Sequence, residues 1–155
     1  MNTPDKTPLI VFLCGLLLLA NSLPAQSKDT DWTIGIEVAA IDGDLSGRNT
    51  TAGFELGFRL SKAFSLELVT RSVTSGSDSG RLTSSMFVWR SQPEKMYFKV
   101  SGGMTLGAGD LFDDFSGSFG LGIGYATDSF WSFELTATRL SDDVNAISIS
   151  TKYRF

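Results

Sequence analysis

Apolar and polar residues alternate with a period of two through most of the chain after residue 31, and this pattern constrains the fold more than any other feature. In residues 52–61 (AGFELGFRLS), every second residue is apolar, and the residues between them are glycine, serine or charged. Successive side chains of a β-strand point to opposite faces, so the pattern predicts strands with one apolar face and one polar face.

The same split recurs in six further segments, separated by clusters of Gly, Ser, Asp, Asn and Pro. An eighth segment, residues 81–91, is less regular. If Phe87 and Trp89 share its apolar face, Met86 and Val88 point to the polar face, which implies a broken pattern or a bulge. Strands of about ten residues cross a bilayer when tilted. The sequence therefore predicts an all-β fold, an eight-stranded antiparallel up-and-down transmembrane β-barrel.

The positions of Trp and Tyr separate this prediction from a soluble β-sandwich or a lipocalin-like barrel, which alternation alone also fits. If the first strand rises from the periplasm, odd strands begin and even strands end at the periplasmic rim. Every Trp and Tyr falls at this rim, where amphipathic rings favour the headgroup level. The predicted aromatic girdle consists of Trp32, Trp89, Tyr97, Tyr125, Trp131 and Tyr153.

The predicted connections agree with this orientation. Those on the periplasmic side, near residues 61–63, 91–95 and 127–129, are short, as is usual for outer-membrane barrels. Those on the other side are longer and polar, at residues 42–50, 73–80 and 107–114, with the short connection at residues 141–143 as an exception. The acids on that side are expected to be solvated, with calcium binding as the alternative: Asp42, Asp44, Asp110, Asp113, Asp114, Asp142 and Asp143.

The N-terminus predicts export. Residues 9–20 form an apolar run that suits a signal peptide and falls short of the roughly 20 residues of a membrane-spanning helix. Cleavage after Ala25 is preferred to cleavage after Ser22, which gives a signal peptide at 1–25 and a barrel domain at 26–155. Cys14 lies in the apolar run, but Leu13 precedes it where a lipoprotein has a small residue. The predicted location is the cell outer membrane.

Composition excludes several functions. The chain has no histidine, and its one cysteine leaves with the signal peptide, so thiol ligands, disulfides and imidazole bases are not available. A net charge of −4 argues against nucleic acid as a partner, because phosphates require a basic surface. The sequence predicts no cofactor, no metal site and no enzymatic activity.

The polar faces of the strands collect nearly balanced charges. The interior of an eight-stranded barrel is just wide enough for side chains to fill it, and enclosed charges require partners. We therefore predict a plugged, charge-paired lumen, with a narrow pore lining or an enzymatic use of the same charges as alternatives. The predicted network contains Glu37, Glu55, Arg59, Glu67, Arg71, Lys99, Glu134 and Lys152, and Arg154 lies on the same face.

The strand pattern and the C-terminal sequence Tyr153-Arg154-Phe155 resemble those of small outer-membrane β-barrel proteins, typified by the membrane domain of the OmpA family and more loosely by the OmpW and OmpX types. The resemblance covers about residues 30–155. It implies a closed barrel in the outer membrane, without implying one activity. It also implies that Tyr153 and Phe155 form the signal that the barrel assembly machinery reads.

The expected partners are outer-membrane lipid, lipopolysaccharide and that machinery, and the oligomeric state is left open. The function predicted from the sequence is a non-enzymatic barrel with a structural or surface-interaction role. A small passive channel is the alternative, and a lipid A-modifying enzyme is less favoured.

Overall fold

The computed structural model describes residues 32–43, 49–75, 78–91, 95–109, 115–127 and 130–155, and the expected signal peptide at 1–25 lies outside them. The described residues form eight β-strands. Among them, no helix is long and apolar enough to span a membrane. The strands are β1 (Trp32–Asp42), β2 (Asn49–Arg59), β3 (Phe64–Ser75), β4 (Asp78–Arg90), β5 (Met96–Gly109), β6 (Phe115–Ala126), β7 (Trp131–Arg139) and β8 (Asn145–Arg154).

The strands close into one barrel in sequence order, with every neighbouring pair antiparallel. The closing pair, β1 with β8, runs from Thr33 opposite Arg154 to Asp42 opposite Asn145. Beyond it, the Trp32 N–H donates to the Phe155 carbonyl at 3.3 Å and the Phe155 N–H donates to the Trp32 carbonyl at 3.0 Å. A closed ladder has no unpaired edge strand. The predicted eight-stranded antiparallel barrel is confirmed.

Alternation divides each strand between two surfaces. Apolar side chains on the outside are exposed around the whole circumference, whereas charged and hydroxyl side chains on the inside are buried. In β1, Ile36 points out and is 64% exposed, while its neighbour Glu37 points in and is 2% exposed. We call the end of the barrel at which β1 begins and β8 ends the terminal end, and the other end the opposite end.

The irregular fourth strand keeps its register without a bulge. β4 pairs with β3 and with β5 continuously, and Phe87 and Trp89 point outward. Met86 and Val88 are consequently inside, and both are buried. The uneven sequence pattern of β4 therefore reflects apolar side chains inside the barrel and no change in backbone pairing.

One predicted connection is wrong. β3 and β4 remain paired up to Ser75 opposite Asp78, so residues 76–77 alone join them where the sequence predicted a longer loop at 73–80. The polar residues taken for a loop extend the two strands instead. Of the loop acids, the residues at 44, 110, 113 and 114 lie outside the described parts of the chain.

Candidate functional site: the barrel interior

Six charged side chains meet inside the barrel towards its terminal end. Three are carboxylates and three are cations, so the group is neutral as a whole. Five of the residues are buried, and the Arg90 side chain is 16% exposed. We call this group the ionic cluster, and its members are Glu55 of β2, Glu67 of β3, Arg90 of β4, Lys99 of β5, Glu134 of β7 and Lys152 of β8.

The two lysines cross-link carboxylates from different strands. Lys152 Nζ lies 2.8 Å from Glu55 Oε2, 3.0 Å from Glu67 Oε1 and 2.8 Å from Glu134 Oε2. Lys99 Nζ lies 2.9 Å from Glu67 Oε2 and 2.7 Å from Glu134 Oε2. Lys152 Nζ donates a hydrogen bond to Glu67 Oε1 and forms ion pairs with the other two acids. The cluster therefore ties β2, β3, β5, β7 and β8 together across the lumen.

Arg90 completes the ionic cluster, and it is not among the residues of the predicted charge network. Its Nε donates to Glu134 Oε1 at 3.1 Å and its Nη1 to Ser65 Oγ at 2.6 Å, while Nη2 donates to Glu134 Oε1 at 2.9 Å and also pairs with Glu67. The sequence left the register of β4 open, so residue 90 had no assigned face. Once the two aromatic residues of β4 are placed outside, strict alternation places Arg90 inside.

Tyr97 lies inside the barrel, so its predicted place in the outer aromatic girdle is wrong. Residues 97 and 99 share the inner face of β5, and the Tyr97 hydroxyl donates to Glu134 Oε1 at 2.8 Å. The guanidinium of Arg90 lies 5.7 Å from the centroid of the Tyr97 ring, which is cation–π distance. Tyr97 thus supports the ionic cluster and does not anchor the barrel at a lipid surface.

A second polar layer lies between the ionic cluster and the opposite end. Arg71 pairs with Glu37, with 3.3 Å between Nη2 and Oε2, and its Nη1 donates to Ser84 Oγ at 3.3 Å. Ser84 Oγ lies 2.8 Å from Thr105 Oγ1, which lies 2.5 Å from Ser118 Oγ. This run of hydroxyl groups satisfies buried polar atoms that would otherwise be costly in a closed interior.

Apolar side chains pack together inside the barrel near the opposite end. Ser118 Oγ donates to the Leu140 carbonyl at 3.2 Å, which joins the hydroxyl layer to this group. Each member is at most 4% exposed, and Val144 packs against them. The sequence did not predict this group, because the contents of the lumen were inferred from the charged residues of the inner face alone. We call this group the apolar plug, and it contains Ile41, Val73, Leu82, Leu140 and Ala146.

Two cavities lined by described residues accompany these layers. A small one of about 20 Å³ lies beside the Glu37–Arg71 pair and has room for about one water molecule. A larger cavity of about 480 Å³ is open at the terminal end, and its floor is formed by four members of the ionic cluster, Glu67, Arg90, Glu134 and Lys152. We call the larger one the terminal vestibule.

The structure distributes the predicted charge network over three places. Glu55, Glu67, Lys99, Glu134 and Lys152 join the ionic cluster, and Glu37 and Arg71 form the second pair. Arg59 lines the terminal vestibule together with Arg154, and both are half-buried. These two arginines lie at the ends of β2 and β8, where the lumen opens, and for this reason they line the vestibule.

The three carboxylates of the ionic cluster also have the spacing of a metal site. One oxygen from each of Glu55, Glu67 and Glu134 lies within 4.8 Å of the others. Three cationic side chains already occupy the space between these carboxylates and balance their charge. A divalent ion would have to displace Lys152, so the donor set does not fit a metal site.

Five residues of the predicted girdle lie on the outer face of the terminal end. The Trp131 and Tyr153 rings pack edge to face with centroids 5.1 Å apart, and the Trp32 ring lies 4.9 Å from that of Phe58. Phe155 continues the row, with its ring 6.5 Å from that of Tyr153. The five outward girdle residues are Trp32, Trp89, Tyr125, Trp131 and Tyr153.

Comparison with solved structures defines the class of the fold. No protein-family model matches the sequence, and no curated protein matches it. A de novo designed transmembrane β-barrel matches with a TM-score of 0.62 at 11% identity, over 83% of this chain and 98% of that chain. The N-terminal β-barrel domain of Pseudomonas aeruginosa OprF matches with a TM-score of 0.55 at 16% identity, over 79% and 97% of the two chains.

Ail, the attachment invasion locus protein of Yersinia pestis, gives a TM-score of 0.54 at 12% identity, over 82% of this chain and 99% of that chain. At such identities, the likeness concerns the fold alone. The chain therefore has the fold of the eight-stranded transmembrane β-barrels.

Proposed function

We propose that the chain is an integral outer-membrane protein with a closed lumen and a structural or surface-interaction role. The single observation that supports membrane insertion most directly is the exposed apolar surface. Large apolar side chains point outward from all eight strands, and Ile36, Phe98 and Ile149 are each more than 60% exposed. Water-soluble monomers rarely expose apolar patches larger than a few hundred Å². Hydrocarbon is the environment in which such a surface is stable.

The aromatic rim supports an orientation. Trp and Tyr rings on the outside of the terminal end suit the membrane–water interface, where their apolar bodies contact lipid and their polar atoms contact water. In this proposal, the terminal end faces the periplasm and the opposite end faces lipopolysaccharide. The barrels of OprF and Ail have the same fold, and Ail is by name an attachment protein. Contact with surfaces outside the cell is therefore part of the proposal.

The layers along the barrel axis support the proposed closed lumen. A solute entering from the terminal vestibule meets the ionic cluster, in which each carboxylate is paired with at least one cation. Beyond the cluster lie the Glu37–Arg71 pair and the apolar plug. The cavity of about 20 Å³ between these layers is too small for a hydrated ion.

Membrane insertion is tested by fractionation of cells that express the chain, together with gel electrophoresis of boiled and unboiled samples. We expect to find the protein in the outer-membrane fraction and to release it from the membrane with detergent. Its migration in the gel is expected to change when the sample is boiled. A monomer that stays in aqueous solution without detergent would contradict the proposal.

A small passive channel is the second candidate, and the open terminal vestibule favours it. Planar-bilayer recording of the purified protein separates the two, with a known porin in the same bilayers as the positive control. The closed barrel predicts a baseline trace under conditions in which the porin conducts. Steady conductance steps that appear only with the folded protein would support the channel.

Enzymatic modification of lipid A is the third class. The chain has no histidine, and Ser65, a described serine beside the ionic cluster, accepts a hydrogen bond from Arg90. A hydroxyl group without a general base is a weak nucleophile. We expect unchanged lipid A mass spectra on expression, and a new lipid A species would contradict the non-enzymatic proposal.

A further inference from the structure

The terminal vestibule combines a neutral floor with a cationic mouth. The floor is formed by four members of the ionic cluster, two carboxylates and two cations, which balance one another. The described residues that line the vestibule nevertheless carry an excess of three positive charges. The charged lining residues are the cations Arg59, Lys62, Arg90, Lys152 and Arg154 and the carboxylates Glu67 and Glu134.

The excess charge comes from the strand ends and the connection between β2 and β3. Lys62 lies in that connection and is exposed, and Arg154 is the last residue of β8 and is half-buried. Because the floor is already paired, an anion that enters the vestibule meets these two side chains first. A concave surface with one sign of charge concentrates the field and attracts counter-ions.

We infer that the terminal vestibule binds small organic anions that carry a phosphate or carboxylate group. Arginine and lysine supply charge-assisted hydrogen bonds to such groups, and a guanidinium can bind them through two parallel N–H groups. The rings of Tyr97 and Phe130 also line the cavity and offer apolar contact to the rest of the ligand. A volume of about 480 Å³ lies within the usual range for small-molecule sites.

The same geometry makes this a capture site and not an entrance. The ionic cluster fills the lumen beneath the vestibule, and the apolar plug lies near the opposite end. The ligand is therefore expected to enter and leave through the same mouth. This inference does not depend on which way the barrel faces, because the mouth is accessible in detergent micelles.

Titration of the refolded, isotope-labelled chain in zwitterionic detergent tests the inference. The probe is phenyl phosphate, and phenol is the uncharged control. We expect saturable NMR shifts at the amides of Ser91 and Thr127, which line the vestibule, with phenyl phosphate and none with phenol at equal concentration. Sodium phosphate is expected to bind more weakly, because it lacks the ring.

Charge variants locate the binding. K62Q/R154Q is expected to weaken phenyl phosphate binding by at least about tenfold, the effect of losing one hydrogen bond between charged groups. K62R/R154K keeps both charges and is expected to bind within a few-fold of the unmodified protein. R139Q is the matched control, because Arg139 is a surface arginine on the outside of the opposite end, paired with Asp142.

Four results would overturn the inference. The first is the absence of saturable shifts with phenyl phosphate, the second is unchanged affinity in K62Q/R154Q, and the third is equal weakening in R139Q. The fourth is a response only to an anionic phospholipid mixed into the micelles, which would assign the cations to lipid headgroups. Heat-modifiable migration verifies the fold of each variant. If the double variant does not fold, K62Q alone replaces it, since residue 62 lies outside the strands.

Discussion

Gly124 on β6 lies directly opposite Tyr97 on β5 and leaves the space that the Tyr97 ring occupies. A Cβ atom at position 124 would overlap the ring and the phenolic oxygen. The inward orientation of Tyr97 and its hydrogen bond to Glu134 therefore depend on glycine at this position.

The first prediction concerns this pair. Gly124→Ala is expected to displace the Tyr97 ring, break its hydrogen bond to Glu134 and lower the free energy of unfolding by about 1–3 kcal/mol, as is typical of overpacking. Gly102→Ala is the matched control, because a Cβ there meets no atom within 4 Å. We expect the control to equal or slightly exceed the unmodified protein in urea unfolding from lipid vesicles. An equal loss in both variants would contradict the role assigned to Gly124.

The second prediction concerns Lys152. Lys152→Gln leaves three buried carboxylates with two cations and is expected to lower the free energy of unfolding by about 3–5 kcal/mol. The exposed pair between Arg139 and Asp142 provides the control, and Arg139→Gln is expected to change stability by about 0–1 kcal/mol.

A double variant distinguishes lost charge balance from lost packing. Glu55 contacts Lys152 at 2.8 Å, and E55Q/K152Q restores equal numbers of acids and cations in the ionic cluster. We expect this double variant to lose less stability than the sum of the two single variants, because the two residues are coupled. Strictly additive losses would argue against the paired-charge account of the lumen.

The third prediction tests contact between the outer surface and lipid. Ile149 lies in the middle of β8 and is 65% exposed, whereas Met96 begins β5 at the terminal end and is 63% exposed. Ile149→Arg is expected to lower the free energy of unfolding in vesicles by about 2–4 kcal/mol, and Met96→Arg by about 0–1 kcal/mol. In a water-soluble barrel, two side chains of equal exposure would tolerate arginine equally. Equal tolerance in urea unfolding would therefore count against membrane insertion.

The fourth prediction concerns assembly in the cell. Deletion of Phe155 is expected to lower the amount of heat-modifiable barrel in the outer membrane, because a terminal aromatic residue is the recognition element in the proteins that the sequence resembles. Phe130→Ala is the control, since Phe130 is also an exposed aromatic residue near Tyr153. Undiminished levels after the deletion would refute the assembly role.

In-vitro refolding separates recognition from stability in that experiment. Phe155 also exchanges two backbone hydrogen bonds with Trp32, so its loss affects the closing pair of strands. If the truncated chain refolds into vesicles as efficiently as the full chain, a loss in cells is a loss of recognition. If refolding falls in parallel, Phe155 acts through the closing pair alone.

The number and faces of the strands were predictable from sequence, because alternation is a local property of the chain. The alternation of apolar and polar residues in β1 and β7 was enough to place Glu37 and Glu134 inside the barrel, without knowledge of the residues that they contact. One failure occurred where the alternation was weak. Residues 73–80 are rich in Ser and Gly and were interpreted as a loop, yet they continue two paired strands.

The partners within the lumen were not predictable in the same way. Contacts between Lys152 and Glu67, or between Arg90 and Glu134, join strands that are not neighbours. They depend on the tilt and stagger of the closed barrel, which no single strand encodes. Tyr97 was predicted to lie in the aromatic girdle because it is at a strand end, but the alternation of side chains along β5 places it inside the barrel.

The place of Lys152 on the last strand has a consequence for the order of events during biogenesis. Its three carboxylate partners lie on β2, β3 and β7, so without β8 the ionic cluster holds three acids against Arg90 and Lys99 and has one unmatched negative charge. Arrival of β8 neutralises that charge in the same step that seals the seam with β1. A barrel intermediate that lacks β8 is therefore disfavoured by this unpaired charge in the ionic cluster as well as by its open edges.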